Sequence, residues 1–396
     1  MDDKLDVLIL GGGPSGLSTA LHLAQIAANL TPCILILEKE QYPRFKLCAG
    51  GLVADAEVIL AHLGLDVREV PQINVDTTHF NFAGKGINIR LQKKHALRII
   101  RRDQFDAWLA QKTREAGIKI REGVSVKNII PDQDGVTVET DQGNFRAKII
   151  VGADGSNSIT RRRILPNEPL QTARALEVVT DVNDVIASGS LAKQSPRKDI
   201  SHKSKDAYFD FLPVPNNIAG YTWDFPTQID GEPMRCWGIY DSNILADQKR
   251  PALKTLLAEE MARHGFNLDK HEIKGYPIRW HSPQNQISAP RVLLVGDAAG
   301  ADPIFGEGIS MALGYGAIAA HEIAESFQRG EFSFRRYRQR VARSALGQTL
   351  FARWLLAYII YSIKWKWFQI LLWQIMQPVV LIVAWIFVLN WSKRLK

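Results

Sequence analysis

The sequence predicts an α/β fold: a helix-flanked parallel sheet, interleaved with an antiparallel-sheet second part and followed by apolar helices. Three observations predict it. Two short, strongly apolar runs, Leu5–Leu10 and Cys33–Leu37, flank a stretch with helical spacing. A third run of the same kind, Arg291–Gly296, returns far downstream. Between them, residues 170–290 read as short strands rich in prolines and aromatics, interrupted by one helical stretch near 251–264. The 396 residues suit two interleaved domains plus an appendage.

The elements follow in order. Leu5–Leu10 is apolar but for Asp6 and runs straight into glycines, as a strand buried on both faces does. Residues 14–28 place Leu17, Ala20, Leu21, Ala24 and Ala28 on one helical face. The next strand ends at Glu38, so the first unit is β-α-β with parallel strands. Residues 41–52 form a loop containing Pro43 and Gly50-Gly51, and 75–92 an antiparallel hairpin with Gly84 and Gly86. Residues 103–116 read as a helix with Asp103 as its N-cap. Two strand-like runs fill 134–151, the second being Ala147–Val151. Residues 307–328 form a helix with small residues on one face. This assigns 1–74, 96–165 and 291–330 to one discontinuous domain, 75–95 and 166–290 to a second, and 331–396 to a helical appendage. No internal repeat is visible.

The chain carries 49 Lys+Arg against 41 Asp+Glu, a formal charge of +8. The excess gathers at Arg161–Arg163, at Arg335, Arg336, Arg338, Arg340 and Arg343, and at Lys393, Arg394 and Lys396. The last two groups flank the most apolar part of the chain, which favours a membrane surface and argues against nucleic acid. Cys33, Cys48 and Cys236 suggest neither a disulfide framework nor a metal site. Met1-Asp2-Asp3-Lys4 has no secretory character, so a reducing, cytoplasmic compartment is expected.

Gly11-Gly12-Gly13-Pro14-Ser15-Gly16 satisfies G-x-G-x-x-G. It follows a buried strand, opens a helix and precedes Glu38 at the end of the next strand, the context of a Rossmann-like dinucleotide site. Gly11 permits the tight turn, Gly13 lets backbone N–H groups approach a pyrophosphate, and Gly16 allows close helix–strand packing. Glu38, with Lys39 beside it, is placed to meet a ribose. Two later segments each set a carboxylate just after a buried strand: Asp154-Gly155 and Gly296-Asp297. Asp297 is suited to a ribityl hydroxyl. The helix after Gly306-Glu307-Gly308, beginning near Ile309, is suited to point its N-terminus at a flavin ring. Either aspartate also suits the plainer role of a helix cap.

With these segments in place, the sequence resembles the flavoprotein group that includes para-hydroxybenzoate hydroxylase, squalene epoxidase and the geranylgeranyl reductases. The resemblance covers residues 5 to about 330 and implies FAD as cofactor. Tyr42–Leu52 is similar to the flavin-side loop of geranylgeranyl reductases, with Cys48-Ala49-Gly50-Gly51 where many members have Cys-Gly-Gly. Gly220–Pro226 resembles that family's Tyr-x-Trp-x-Phe-Pro signature through Tyr221, Trp223, Phe225 and Pro226. The Trp-x-Trp-x-Ile-Pro segment usual in related halogenases is absent. By resemblance Arg102, which opens an Arg-x-x-Phe-Asp pattern, contacts FAD, and Arg44 lies near it. The implied reaction is reduction of C=C bonds in a polyprenyl chain. The alternatives are monooxygenation or epoxidation of a hydrophobic substrate, and electron transfer to membrane quinone. NADPH and reduced ferredoxin are both compatible as electron donors.

Reducing an isolated alkene requires an acid, a dry pocket, and a surface that stabilises positive charge without capturing it. Tyr221, Trp223 and Phe225 share one face of a strand and supply cation–π attraction there. Cys48 and Tyr221 are the side-chain candidates for the acid, with a flavin-bound water as the alternative. In the appendage, residues 350–363 are almost all apolar and residues 367–391 carry no formal charge, a length sufficient to cross a bilayer. Gln369, Gln374, Gln377 and Pro378 weaken a spanning reading, and lysines on both sides remove any orientation signal. Attachment within one leaflet of a cytoplasm-facing membrane is therefore expected.

Overall fold

A computed structural model describes residues 5–91, 95–169, 171–184, 204–245 and 249–395; Met1–Lys4 and Lys396 lie outside these. The main sheet runs in the order Ser288–Ala289, Val292–Leu294, Gly143–Gly152, Leu5–Leu10, Ile34–Leu37, Lys119–Arg121. All neighbouring pairs from Val292–Leu294 onward are parallel. Both faces of the central strand are covered. Val7 and Ile9 pack on the helical side, Leu8 and Leu10 on the other. This explains why the sequence there is apolar without alternation.

Gly143–Gly152 begins earlier than its apolar part suggests. Asn144, Phe145 and Arg146 pair with Glu139, Val138 and Thr137 in an antiparallel flap completed by Val126–Pro131. Polar residues suit such a flap and hide it from an apolar count.

The helices Pro14–Ile26 and Ile309–Arg329 cross against each other on one face of this sheet. Their approach explains the small residues of the second helix. A Cβ on Gly316 would stand 2.5 Å from Ser18 Oγ, and that hydroxyl donates to Leu313 O at 2.8 Å. The helix Arg102–Glu115 is capped by Arg101, not Asp103. Asp103 lies in the first turn, where its carboxylate favours the helix dipole and accepts from Arg101 Nε at 3.1 Å.

The second sheet runs Lys274–Arg279, Thr172–Asp181, Glu232–Asp241, Gly220–Ile229, Ala207–Asp210, Thr78–Phe82, Lys85–Ile89. It is antiparallel except between Ala207–Asp210 and Thr78–Phe82. One face buries Val178, Trp237 and Ile239 against the helix Leu253–Arg263. The other carries Tyr221, Trp223, Phe225 and Tyr240. A three-stranded sheet, Gly51–Leu52, Leu97–Ile100 and Gln72–Val75, stands beside the two larger ones.

The appendage comprises helices Tyr337–Arg343, Ala345–Ser362, Lys366–Ile370 (continued by a π turn, Leu371–Ile375) and Gln377–Phe387. The apolar run 367–391 is therefore not one rod. Among the described residues no single helix is long and apolar enough to cross a membrane. Lys366–Ile375 and Gln377–Arg394 together have the length but are bent by 78°. The cause lies in the residues that interrupt the run. Pro378 opens the second helix in its first turn, where its missing N–H is harmless. Gln374 Nε2 donates to Phe82 O at 3.0 Å and Gln377 Nε2 to Gly86 O at 3.3 Å, tying the bend to a hairpin of the second sheet.

The chain then returns. Trp391 is fully buried, with its ring 2.6 Å from where Gly314 would carry a Cβ. Asp55 accepts from the N–H groups of Asn390 and Ser392 at 3.0 and 2.8 Å. Between these anchors, the helix Gln377–Phe387 has no buried residue.

Candidate active site

The glycine loop is shaped by its own backbone. Gly11 has φ +111°, and a Cβ there would meet Ala153 O at 2.3 Å. A Cβ on Gly16 would meet Gly11 O at 2.1 Å. Gly13, by contrast, has extended geometry and only Arg44 Nη2 nearby, at 3.6 Å. The space before the helix N-terminus is left open for a ligand rather than for packing. Glu38 is nearly fully buried and accepts from Gly12 N–H at 2.8 Å. Tyr42 O–H donates to Gly12 O.

From this loop one continuous cavity of about 1360 Å³ runs past Arg102, Asp154, Asp297 and Gly306–Ile309 to the aromatic face of the second sheet. A single drug-sized ligand needs roughly 300–1,000 Å³; this cavity has room for a dinucleotide and a second molecule. Its middle is electropositive. Asp106, fully buried, holds Arg102 through paired contacts of 2.8 and 2.9 Å and Arg44 at 3.1 Å. Two guanidiniums thus share one carboxylate beside the path of a pyrophosphate. The Lys46 ammonium lies 3.2 Å from the centre of the Tyr276 ring. Burial lowers its pKa to about 8, opposed by Asp297 and reinforced by Arg102 and Arg44.

The far end is apolar. Phe209 contacts Tyr221, Phe225 and Phe305 at ring separations of 5.2, 5.0 and 6.1 Å and stacks on Phe80 at 4.7 Å. Trp223 lies flat over Gly238, where a Cβ would come within 2.0 Å of the indole. The roof is the appendage: Leu356, Ile360, Leu372, Trp373 and Val380 line the same cavity. Arg353 locks the roof down. Buried, it contacts Asp302 at 2.9 Å, Glu307 at 2.8 Å and Val388 O at 2.7 Å.

The structure brings every candidate except Gly16 and Gly296 to this cavity wall. Gly11, Gly13, Pro14, Ser15, Glu38, Lys39, Arg44, Cys48, Ala49, Gly50, Arg102, Asp154, Gly155, Tyr221, Trp223, Asp297, Gly306, Gly308 and Ile309 line it. Gly16 and Gly296 stand just behind, where their missing side chains let Gly11 and Ser15 approach. The two strand-end aspartates differ. Asp154 turns back to accept from Thr160 N–H and Oγ1, both at 2.9 Å, the local capping role. Asp297 accepts from Ser156 Oγ, at 3.1 Å, and lines the cavity, with no other hydrogen-bond partner among the described residues.

The two candidate acids are poorly disposed to release a proton. Tyr221 O–H is committed to Phe305 O at 2.5 Å, and burial pushes it well above the usual phenol range. Burial likewise raises the Cys48 thiol, with Arg102 opposing. Sequence reasoning missed Glu177 and the Arg353 cluster. Glu177 sits in a strand without a motif and Arg353 inside an apolar helix; a lone charge in such a setting was the only available signal.

The family described as "FAD binding domain" matches residues 4–343. A digeranylgeranylglycerophospholipid reductase of Methanocella arvoryzae is 28% identical over 88% of this chain and 86% of its own. A rifampicin monooxygenase of Streptomyces venezuelae is 31% identical but over 41% of this chain and 35% of its own. The crystal structure of a geranylgeranyl bacteriochlorophyll reductase-like protein from Thermoplasma acidophilum superposes with a TM-score of 0.75, covering 99% and 98% of the two chains at 22% identity. The chain belongs to the FAD-binding-domain family and is an FAD-dependent oxidoreductase, related at low identity to the geranylgeranyl reductases.

Proposed function

We propose that this flavoenzyme reduces C=C bonds of a polyprenyl chain taken from a membrane surface. The observation that carries the reading is the chamber itself: an aromatic floor from the second sheet and an aliphatic roof from the appendage, joined to the cofactor cleft without a partition. Bound FAD, once reduced, supplies a hydride. The protein's share is to hold the alkene dry against Trp223 and Tyr221, whose faces favour developing positive charge. Arg44, Arg102, Glu38 and the Gly11–Gly16 loop hold the nucleotide.

The outer surface of the appendage supports the membrane source. Phe351, Leu355, Ile375 and Phe387 are exposed there, away from the cavity. Trp365 and Trp367 stand beside Lys364 and Lys366 like interfacial anchors. An apolar, exposed helix tethered at both ends suits shallow insertion in one leaflet of a cytoplasm-facing membrane. Residues 350–391 then form both the roof and the contact with lipid.

The test is anaerobic. The protein is purified in detergent, reduced with dithionite and mixed with geranylgeranyl diphosphate or a geranylgeranylated lipid, while flavin oxidation and product mass are followed. Oxidation coupled to a gain of two hydrogens per bond supports the reading. Oxygen incorporation on admitting air replaces it with monooxygenation, and oxidation by a quinone alone replaces it with electron transfer. Repeating the cycle with NADPH or reduced ferredoxin identifies the donor.

A further inference from the structure

The second sheet carries a straight cross-strand row. Glu177 opposes Gly238, Gly238 opposes Trp223, Trp223 opposes Phe209, and Phe209 opposes Phe80. Directly opposed residues share a face, and this face lines the cavity. Because Gly238 has no side chain, the Trp223 ring lies across it, toward Glu177. The chamber floor is thus aromatic from Phe80 to Trp223 and ends in a carboxyl.

The other carboxylates on the cavity wall are engaged elsewhere. Glu38 is held by Gly12 and Arg44, Asp55 by Asn390 and Ser392, Asp154 by Thr160, Glu307 by Arg353 and Ser310. Asp297 accepts from Ser156, and Glu40 is a solvent-exposed partner of Lys39. Glu177 is buried and, among the described residues, has no cation within ion-pair distance. The titratable groups facing it are the Cys236 thiol, which is hydrogen-bonded to it, the Cys48 thiol and, more distantly, Lys274, which is drawn to Glu272 at 3.3 Å and to the Phe45 ring. The Cys48 N–H points at it from the flavin-side loop.

We propose that Glu177 is the acid that delivers a proton to the alkene. This rests on the alkene-reductase reading. The carboxyl O–H breaks and the π pair of the alkene forms the new C–H bond, leaving cation character at the second alkene carbon over the Trp223 face. That carbon would take the hydride, two electrons, that reduced FAD supplies when bound, leaving the cofactor oxidised. Glu177 is left as carboxylate and recovers its proton from water when product leaves. Burial pushes Glu177 up to about 7, so it stands protonated and close to balance at neutral pH, as an acid of this kind requires.

The test has two arms. Infrared titration of the flavin-free protein should show a protonated carboxyl band disappearing near pH 7 and missing from Glu177→Gln. In single turnovers with reduced FAD, Glu177→Gln should bind FAD normally yet reduce the alkene about 100-fold more slowly. Glu177→Asp, an acid withdrawn by one methylene, should fall between. The wild-type rate should drop through pH 7, and that limb should be absent from the Gln variant. Full activity in Glu177→Gln, or no carboxyl titrating near neutrality, overturns the assignment while leaving alkene reduction intact. A wild-type enzyme that leaves every alkene untouched removes the underlying reading, and this proposal with it.

Discussion

At the nucleotide end of the cavity the wall is backbone. Gly11 and Gly16 exist because Ala153 O and Gly11 O stand where side chains would be, and the ligand is met by N–H groups at a helix start. At the other end the wall is side chain, drawn from strands at 78–82, 207–210 and 220–229 and from the helices beyond residue 345. A backbone wall requires particular residues at fixed spacing and leaves a motif. A side-chain wall requires only apolar bulk, which many sequences supply. The contrast predicts that substitutions act through different quantities at the two ends.

The largest effects belong to the loop, and two neighbouring glycines separate its roles. Gly11→Ala forces an L residue to φ +111° and into Ala153 O; the strain of about 1–3 kcal/mol adds to the clash. The variant should purify without flavin and melt lower. Gly13→Ala meets nothing closer than Arg44 Nη2. It should leave the apoprotein's stability unchanged to within about 0.5 kcal/mol yet weaken FAD at least tenfold in a fluorescence titration. Equal destabilisation by both would mean that Gly13, too, serves packing.

The same contrast explains what was legible in the sequence. The parallel strands were readable because both faces are buried, and the loop because only glycine fits. Asp154 and Asp297 look alike in sequence, and only the fold shows one spent on Thr160 and the other facing the cavity. Tyr221, Trp223 and Phe225 were singled out by their resemblance to a family signature, and their period of two placed them on one face. Glu177 was not, because it joins their row only through the register of two intervening strand pairs. In the run 367–391, Gln374 and Gln377 were legible only as residues that weaken a span; that they tie down a bend was not. Their partners, Phe82 O and Gly86 O, lie nearly three hundred residues away.

Next in size is Arg353, where the side-chain wall depends on one buried cation. Arg353→Met keeps the bulk but leaves Asp302 and Glu307 without a countercharge. The loss should be about 3–5 kcal/mol, read as a lower unfolding midpoint with cleavage by protease appearing in residues 377–387. FAD affinity should fall less than in Gly13→Ala. If FAD is lost first, the roof and the cleft are a single unit and the contrast fails.

Glu177 gives a smaller effect with a defined sign. Its folded value, about 7, lies above its ordinary 4.5, so the folded apoprotein holds an extra proton between those limits. Its contribution is fully present below about pH 4.5, declines as pH rises, and is gone above about pH 7, a change of about 3 kcal/mol. Comparing wild type with Glu177→Gln across this window cancels the other groups. The Gln variant should gain relative stability as pH rises. A parallel pair of curves would place the carboxyl in water.

The smallest effect concerns the tether. Gln374→Ala and Gln377→Ala each remove one hydrogen bond to a hairpin carbonyl, worth about 1 kcal/mol. Because Asp55, Trp391 and Arg353 hold the returning chain independently, global unfolding should barely change. Local opening should increase: hydrogen exchange in residues 366–387 should accelerate roughly fivefold per kcal/mol lost, while the Leu5–Leu10 strand is unaffected. If the double variant instead lowers the global stability by several kcal/mol, the appendage folds as part of the core. An apolar surface on such a rigid element would then have to meet lipid without the bend opening.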